Sequence, residues 1–378
     1  MMRAVFFMAN VGNRPWRIVH SEASLGWGGQ ERRVMAELLG FRARGHAVGL
    51  LAPARAKIFS EAAQHDLQRA TLAENRWAFP FEVVRAARWL RAFRADVVNT
   101  HSSRDGWIVG LAARLARTPL VIRSRHIDVE YPHVWISRHA FTQLCDHVIT
   151  TSDKISGHLR ECFSLPPERV STVATGIDLQ KFHPAVAPAE LALAGGLSEA
   201  PLVGMISVLR SWKGHATFFA AARQLREQGR RINFVVVGAG NPVEAYQAMA
   251  RAAGVGDFVT FTGHREDVPE LLRALSVLVI PSTQHEGVPQ IGLQALACQT
   301  PVVGSDCGGI PEIIRDGETG RIFPAGNEPM LAATIARALE QPDASRQMAA
   351  RGRELVERCY SRDTMLDVIE EIYRRYLR

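Results

Sequence analysis

Residues 277–305, VLVIPSTQHEGVPQIGLQALACQTPVVGS, decide the fold. The run Val277–Pro281 is short, apolar and β-branched, and so is Pro301–Ser305; between them lies helix-compatible sequence ending near Ala297. A strand, a helix and a second strand in one short stretch is the pattern of a parallel sheet joined by crossover helices. The pattern extends in both directions. Upstream, strands are expected at Leu202–Val208, Asn233–Val237 and Phe258–Thr262, with a helix over Ala216–Gln228. Downstream, the chain closes on helices near Ala344–Cys359 and Arg362–Tyr376, the last with Met365, Leu366, Ile369, Ile372 and Tyr373 at helical spacing. The first half holds six strand candidates: Arg17–His20, Ala47–Ala52, Asp96–His101, Pro119–Arg123, His147–Thr151 and Val170–Thr175. The chain therefore reads α/β from end to end, as two doubly wound sheets in series. The run Ala4–Phe7 is either one more strand or an extension.

Residues 184–200 shift to small residues with proline and glycine, as inter-domain connections do. The expected division is a first domain over residues 1–183, joined by the C-terminal helix 362–378, and a second over 184–361. A length of 378 residues suits two such domains, and a composition 47% hydrophobic and 22% charged excludes disordered, fibrous and disulfide-scaffold classes. No apolar run approaches the roughly 18 residues of a spanning helix, and Ala4–Ala9 after Arg3 is shorter than a secretory apolar region. Five cysteines without a C-x-x-C pair argue against a disulfide framework or a zinc site, and for a reducing, cytoplasmic compartment. The net charge of +7 is uneven: residues 1–182 hold 25 Lys+Arg against 16 Asp+Glu, and residues 183–378 hold 20 against 22. That positive first half suits an anionic membrane face or a phosphorylated substrate; no nucleic-acid-binding signature accompanies it.

Sheets of this type bind ligands at the carboxyl ends of their strands, so the loops there are expected to carry the chemistry. Gly26-Trp27-Gly28-Gly29-Gln30-Glu31 opens a helix after a strand, where glycines allow close backbone approach and free N–H groups meet an anion; a tight turn that binds nothing is the alternative. Val236–Pro242 resembles a dinucleotide motif, but Val243 stands where its third glycine would fall, which removes the nicotinamide and flavin readings. Val208–His215 sets Arg210 and Lys213 in a loop leading into a helix, where cations oppose the helix dipole and so call for an anion such as a diphosphate. Glu286, with Gln294 two helical turns later, places a carboxylate and an amide on one side, suited to vicinal hydroxyls.

The chain resembles the retaining glycosyltransferases of family 4, which have the GT-B fold and use nucleotide sugars. The stretches that carry the resemblance span nearly the whole length: Gly28–Glu31, Thr175–Asp178 with Phe182–Pro184, Lys213–His215, Phe261–Arg265 with Asp267-Val268, Glu286–Ala297, and Pro301–Val303 with Gly308–Glu312. The resemblance implies that the Gly28 and Gly29 backbone and Lys213 contact the donor diphosphate, with Arg210 assisting, and that Glu286 holds hydroxyls of the transferred sugar. It places the backbone around Gln290 and Ile291 at the distal phosphate, Gln294 at the ribose and the loop Gly263–Arg265 beside the base, and counts Gly240, Val288 and Pro289 among the donor-binding residues. His126 matches the family's histidine near the reacting carbon; Arg125 and His101 fall on the acceptor side. Two positions depart from the family pattern: its second glutamate is Gln294 here, and its arginine after the first strand of the second domain is Val208. Glutamine still donates and accepts, and Arg210 stands two positions on in the same loop.

The expected activity is transfer of a sugar, with retained anomeric configuration, from a UDP- or GDP-sugar to a glycan or lipid-linked acceptor of the bacterial surface-polysaccharide or lipopolysaccharide type. No cofactor is expected, and no metal, since no D-x-D pair occurs. The alternatives are a nucleotide-sugar 2-epimerase, which needs no acceptor, and a non-catalytic sugar-nucleotide-binding partner.

Overall fold

The computed structural model describes residues 14–74, 79–131, 133–194, 196, 199–240 and 242–377. The run Ala4–Phe7 lies outside them.

The first sheet has seven parallel strands: β1 Arg17–Ser21, β2 Ala47–Ala52, β3 Gln68–Thr71, β4 Val97–Thr100, β5 Leu120–Arg125, β6 His147–Thr150 and β7 Val170–Thr172, in the order β3-β2-β1-β4-β5-β6-β7. The second has six: β8 Leu202–Ile206, β9 Asn233–Val237, β10 Val259–Gly263, β11 Val277–Ile280, β12 Val302–Ser305 and β13 Arg321–Phe323, in the order β10-β9-β8-β11-β12-β13. Both are doubly wound α/β sheets, and in each the strand order reverses once, between β1 and β4 and between β8 and β11. Ligands bind such sheets at that switch point, beyond the strands' carboxyl ends.

Two strands escape the sequence reading. β3 is Gln-Arg-Ala-Thr at a sheet edge, with its first two residues exposed, so it lacks the apolar run that announces a buried strand. β13, Arg-Ile-Phe, is three residues long and also at an edge. The interior strands are the legible ones because they are buried on both faces. On β9, Phe234 and Val236 enter one core with Phe218, Phe219 and Ile335, while Val235 and Val237 enter the other with Leu271, Leu293 and Ile313. The same period-two division separates Val277 and Val279 from Leu278 and Ile280 on β11.

The chain separates into two compact units: the described residues up to Ser124 with His139–Asp146 and the C-terminal residues from Ile372, and Arg125–Arg138 with His147–Glu371. In the first unit, Tyr373 packs its ring against Trp16 and Phe41 at centroid distances of 5.7 and 5.6 Å. The helix Arg362–Tyr376 thus ends in the first unit's core.

Candidate functional site

In the second unit, the switch point between β8 and β11 brings two loops together. The loop after β8 makes a single 3₁₀ turn, Ser211–Lys213, and reverses at Gly214 to start the helix His215–Glu227. Gly214 has φ +78°, and a Cβ there would lie 1.8 Å from the Pro281 carbonyl oxygen, so only glycine lets this loop cross the end of β11 so closely. Thr283 N–H then donates to the Trp212 carbonyl at 2.8 Å, fastening one loop to the other.

The consequence is an ion pair between residues 73 positions apart. Lys213 Nζ lies 2.8 Å from both carboxylate oxygens of Glu286, with the side chains 20% and 7% exposed. Glu286 is itself held from below: Gly309 N–H donates to its carbonyl at 3.2 Å, and Gly308, at φ +60°, passes so near that a Cβ would lie 2.0 Å from that oxygen. The residue before it, His285, sits at φ +57°, where a non-glycine residue is strained. Its Nδ1 meets the Asp128 carbonyl at 2.8 Å and its ring meets Trp212 edge-on at 5.6 Å. Trp212 carries Arg210 on its other contact, with the guanidinium carbon 5.1 Å from the ring centroid. Arg210 is exposed, and Val208 in the same loop is 40% exposed.

Beyond Glu286, Val288 and Pro289 are buried and Pro289 caps the helix Gln290–Ala297. The amides of Gln290 and Ile291, in its first turn, have no acceptor within the helix. Gln294 is half-buried one turn into this helix, which starts at Gln290, so Glu286 lies in the loop before it rather than two helical turns below. Gly240 lies against Leu209, whose N–H donates to the Ala239 carbonyl at 3.1 Å. Arg265 is turned onto Asp267, with Nε to Oδ1 at 2.7 Å; that hydrogen bond raises the arginine pKa and lowers the carboxyl's. His126, half-buried, lies near the same centre: its carbonyl accepts from Thr151 Oγ1 at 3.1 Å, and a Cβ on Gly287 would lie 3.0 Å from that carbonyl oxygen. Arg125, at the end of β5, is 6% exposed and covers the Tyr131 ring at 5.7 Å.

The remaining expected site residues belong to the first unit. Gly28 and Gly29 open the helix Gly29–Ala43, and the Gly28 N–H donates to Glu31 Oε2 at 2.7 Å, so the loop's first donor is engaged by its own helix's carboxylate. His101 follows β4, is 1% exposed, and contacts His20.

Sequence reasoning missed Glu312, whose two carboxylate oxygens accept from the single Asp153 amide at 3.0 and 3.2 Å, one of them also from the Lys154 amide at 3.4 Å, and so cap the helix Asp153–Phe163. Burial raises its pKa, and those amides oppose the shift. The local signal was Ser152-Asp153 before a helix, but the partner is 159 positions away. His215 is also structural. It packs edge-on against Tyr246 at 4.7 Å, and burial pushes its pKa from 6.5 down to about 4. The unfolded chain takes up this proton near pH 6.5 and the native one only near 4. His215 therefore contributes stability that is fully present above 6.5 and lost as pH falls towards 4, of the order of 3 kcal/mol in all. His215→Phe is expected to flatten the melting temperature between pH 7 and 5; an unchanged slope in that window refutes the assignment.

Residues 27–181 match the family model for Glycosyltransferase Family 4, and residues 195–355 match that for glycosyl transferases group 1. The chain is 29% identical over 316 residues to the alpha-D-kanosaminyltransferase of Streptomyces kanamyceticus, covering 77% of this chain and 80% of that protein. It is 30% identical over 319 residues to the alpha-maltose-1-phosphate synthase of Mycolicibacterium smegmatis, covering 74% and 79%. Anabaena HepE, solved in complex with UDP-glucose, superposes with a TM-score of 0.82 over 95% of this chain and 99% of that one at 19% identity, which identifies the two doubly wound sheets as those of a GT-B fold. The chain belongs to the family 4 glycosyltransferases.

Proposed function

We propose that this glycosyltransferase moves a sugar, with retention of configuration, from a UDP- or GDP-sugar to a glycan or lipid-linked acceptor in cell-surface polysaccharide or lipopolysaccharide synthesis. The observation that carries the reading is the Lys213–Glu286 pair at the β8/β11 switch point. A cation and a carboxylate side by side match a ligand that has both a diphosphate and sugar hydroxyls. The donor's phosphate draws Lys213, its hydroxyls take up Glu286, and each replaces part of the other's partner.

In the transfer step the sugar–phosphate bond breaks and negative charge grows on the leaving diphosphate. Lys213, Arg210 and the amides of Gln290 and Ile291 stabilise that charge, which preorganised donors do most strongly in a water-poor site. The reaction proceeds without a metal at the diphosphate. Gln294 holds the ribose, Gly240 and Arg265 lie beside the base, and His126 lies near the reacting carbon. The first domain, through residues 1–183, takes the acceptor.

Thermal denaturation against UDP, GDP, ADP, dTDP and CMP and their sugar conjugates tests the donor site. A ligand at 100 times its Kd adds about 2.7 kcal/mol. A melting shift with UDP or GDP conjugates is expected in the wild-type chain and is lost in Lys213→Ala. A shift with neither sinks the donor assignment, and formation of a new nucleotide sugar from donor alone favours the epimerase.

The acceptor reading places the enzyme in the cytoplasm, peripheral at the inner membrane face. Among the described residues no helix is long and apolar enough to cross a membrane. The helix Phe79–Phe93 supports surface attachment: Phe81 and Val84 are 79% and 42% exposed, beside exposed Arg85, Arg88 and Arg91. Binding to vesicles containing anionic lipid is expected at low salt and is reduced several-fold by Phe81→Ser with Arg88→Glu; a wild-type chain that stays wholly in solution refutes it.

A further inference from the structure

The first unit has a second cluster at its own switch point, built around His101. His20 on β1, His101 just past β4 and Glu37 on the helix Gly29–Ala43 are 0%, 1% and 1% exposed. His20 Nδ1 lies 2.8 Å from His101 Nε2 and 3.8 Å from Glu37 Oε2, and the donor atoms of the three side chains all lie within 4.8 Å of one another. Glu37 Oε1 accepts from Arg33 Nε at 2.6 Å, but Oε2, aimed at the histidine pair, accepts no hydrogen bond. A buried carboxylate oxygen without a donor is costly unless something positive completes it.

Ligands bound to zinc at about 2.0–2.2 Å in a tetrahedron stand roughly 3.3 Å apart, and the separations of 2.8 and 3.8 Å bracket that value. We propose that His20, Glu37 and His101 form a buried site for one divalent transition-metal ion of zinc type, with a water in the fourth position. Two imidazoles and one carboxylate are a donor set that favours such ions over calcium or magnesium. Arg33 then acts as the outer partner that orients Glu37, leaving the second oxygen for the ion. Asp105, also fully buried, lies beside both histidines: its Oδ2 accepts from Ser21 Oγ at 2.7 Å and from the His101 amide at 2.9 Å. The ion would join β1, the end of β4 and the helix that begins at Gly29, so it fixes the base of the Gly28-Gly29 loop and takes no part in bond breaking.

The test uses the full chain, purified from zinc-supplemented cells and measured for bound metal, then unfolded with chelator and refolded with Co²⁺. About one ion per chain is expected, with the visible absorption of low-coordinate cobalt and a melting temperature that falls when metal is withheld. His20→Asn and Glu37→Gln should lose the ion, while Lys213→Ala keeps it. A natively refolded wild-type chain with no cobalt absorption, and a melting temperature indifferent to metal, overturns the site and leaves a hydrogen-bonded histidine pair. Metal retained equally by Glu37→Gln and His20→Asn lies elsewhere on the chain and overturns the assignment as well.

Discussion

Lys213→Ala is expected to lower kcat by about 100- to 1,000-fold while leaving the fold intact by circular dichroism. The size follows from the role proposed for Lys213 at the moment of bond breaking. It is a donor already fixed in place, at 2.8 Å from each oxygen of Glu286, so no reorganisation is needed when charge appears on the leaving phosphate. The effect on kcat should exceed that on KM, because the interaction is strongest in the transition state. Glu286→Gln should also be costly, and the two losses should fall well short of adding, since each residue positions the other. Steady-state kinetics of the two single variants and the double variant check this. A Lys213→Ala enzyme within tenfold of wild type removes the lysine from the chemistry.

Gly308→Ala is expected to be strongly damaging to both stability and activity. At φ +60° an alanine is strained by about 1 kcal/mol, and its Cβ would lie 2.0 Å from the Glu286 carbonyl oxygen and 2.9 Å from the Glu286 Cβ. Both neighbours belong to a segment that is already strained at His285, so the loop cannot yield without moving Glu286. Overpacking of this kind costs about 1–3 kcal/mol, which for a chain of this size corresponds to a melting temperature lower by roughly 1–4 °C. Activity should fall with it, because the displaced group is the one proposed to hold the sugar. A control at Gly317, with φ +73° and open space around its Cβ position, isolates the backbone strain from the clash. Gly308→Ala that melts and turns over like Gly317→Ala refutes the argument.

The second sheet illustrates why some elements were legible. Val277–Ile280 and Asn233–Val237 must satisfy two cores at once, so nearly every position is apolar and the run shows itself in sequence. β3 has an edge position and two exposed residues, so it is free to be polar, while β13 is largely buried but only three residues long, too short to show itself as an apolar run. The site divides in the same way. Glu286, Lys213 and the glycines around them could be picked out because loops that approach a ligand need particular residue types. What they touch could not, because the Lys213–Glu286 and Glu312–Asp153 contacts span 73 and 159 positions and depend on where the strands end.

Arg265 and His101 make the limit plain. The chemistry of a guanidinium and an imidazole in a loop after a strand is readable from residue type alone, yet one is turned onto Asp267 and the other is buried against His20. Sequence by itself determined the α/β class, the interior strands and the residue types available at their carboxyl ends, because burial on two faces and close backbone approach each restrict which amino acids serve. Only the tertiary structure decided which of those residues meet, since a pairing across a strand-order reversal is set by the packing of whole sheets and leaves no local trace in the chain.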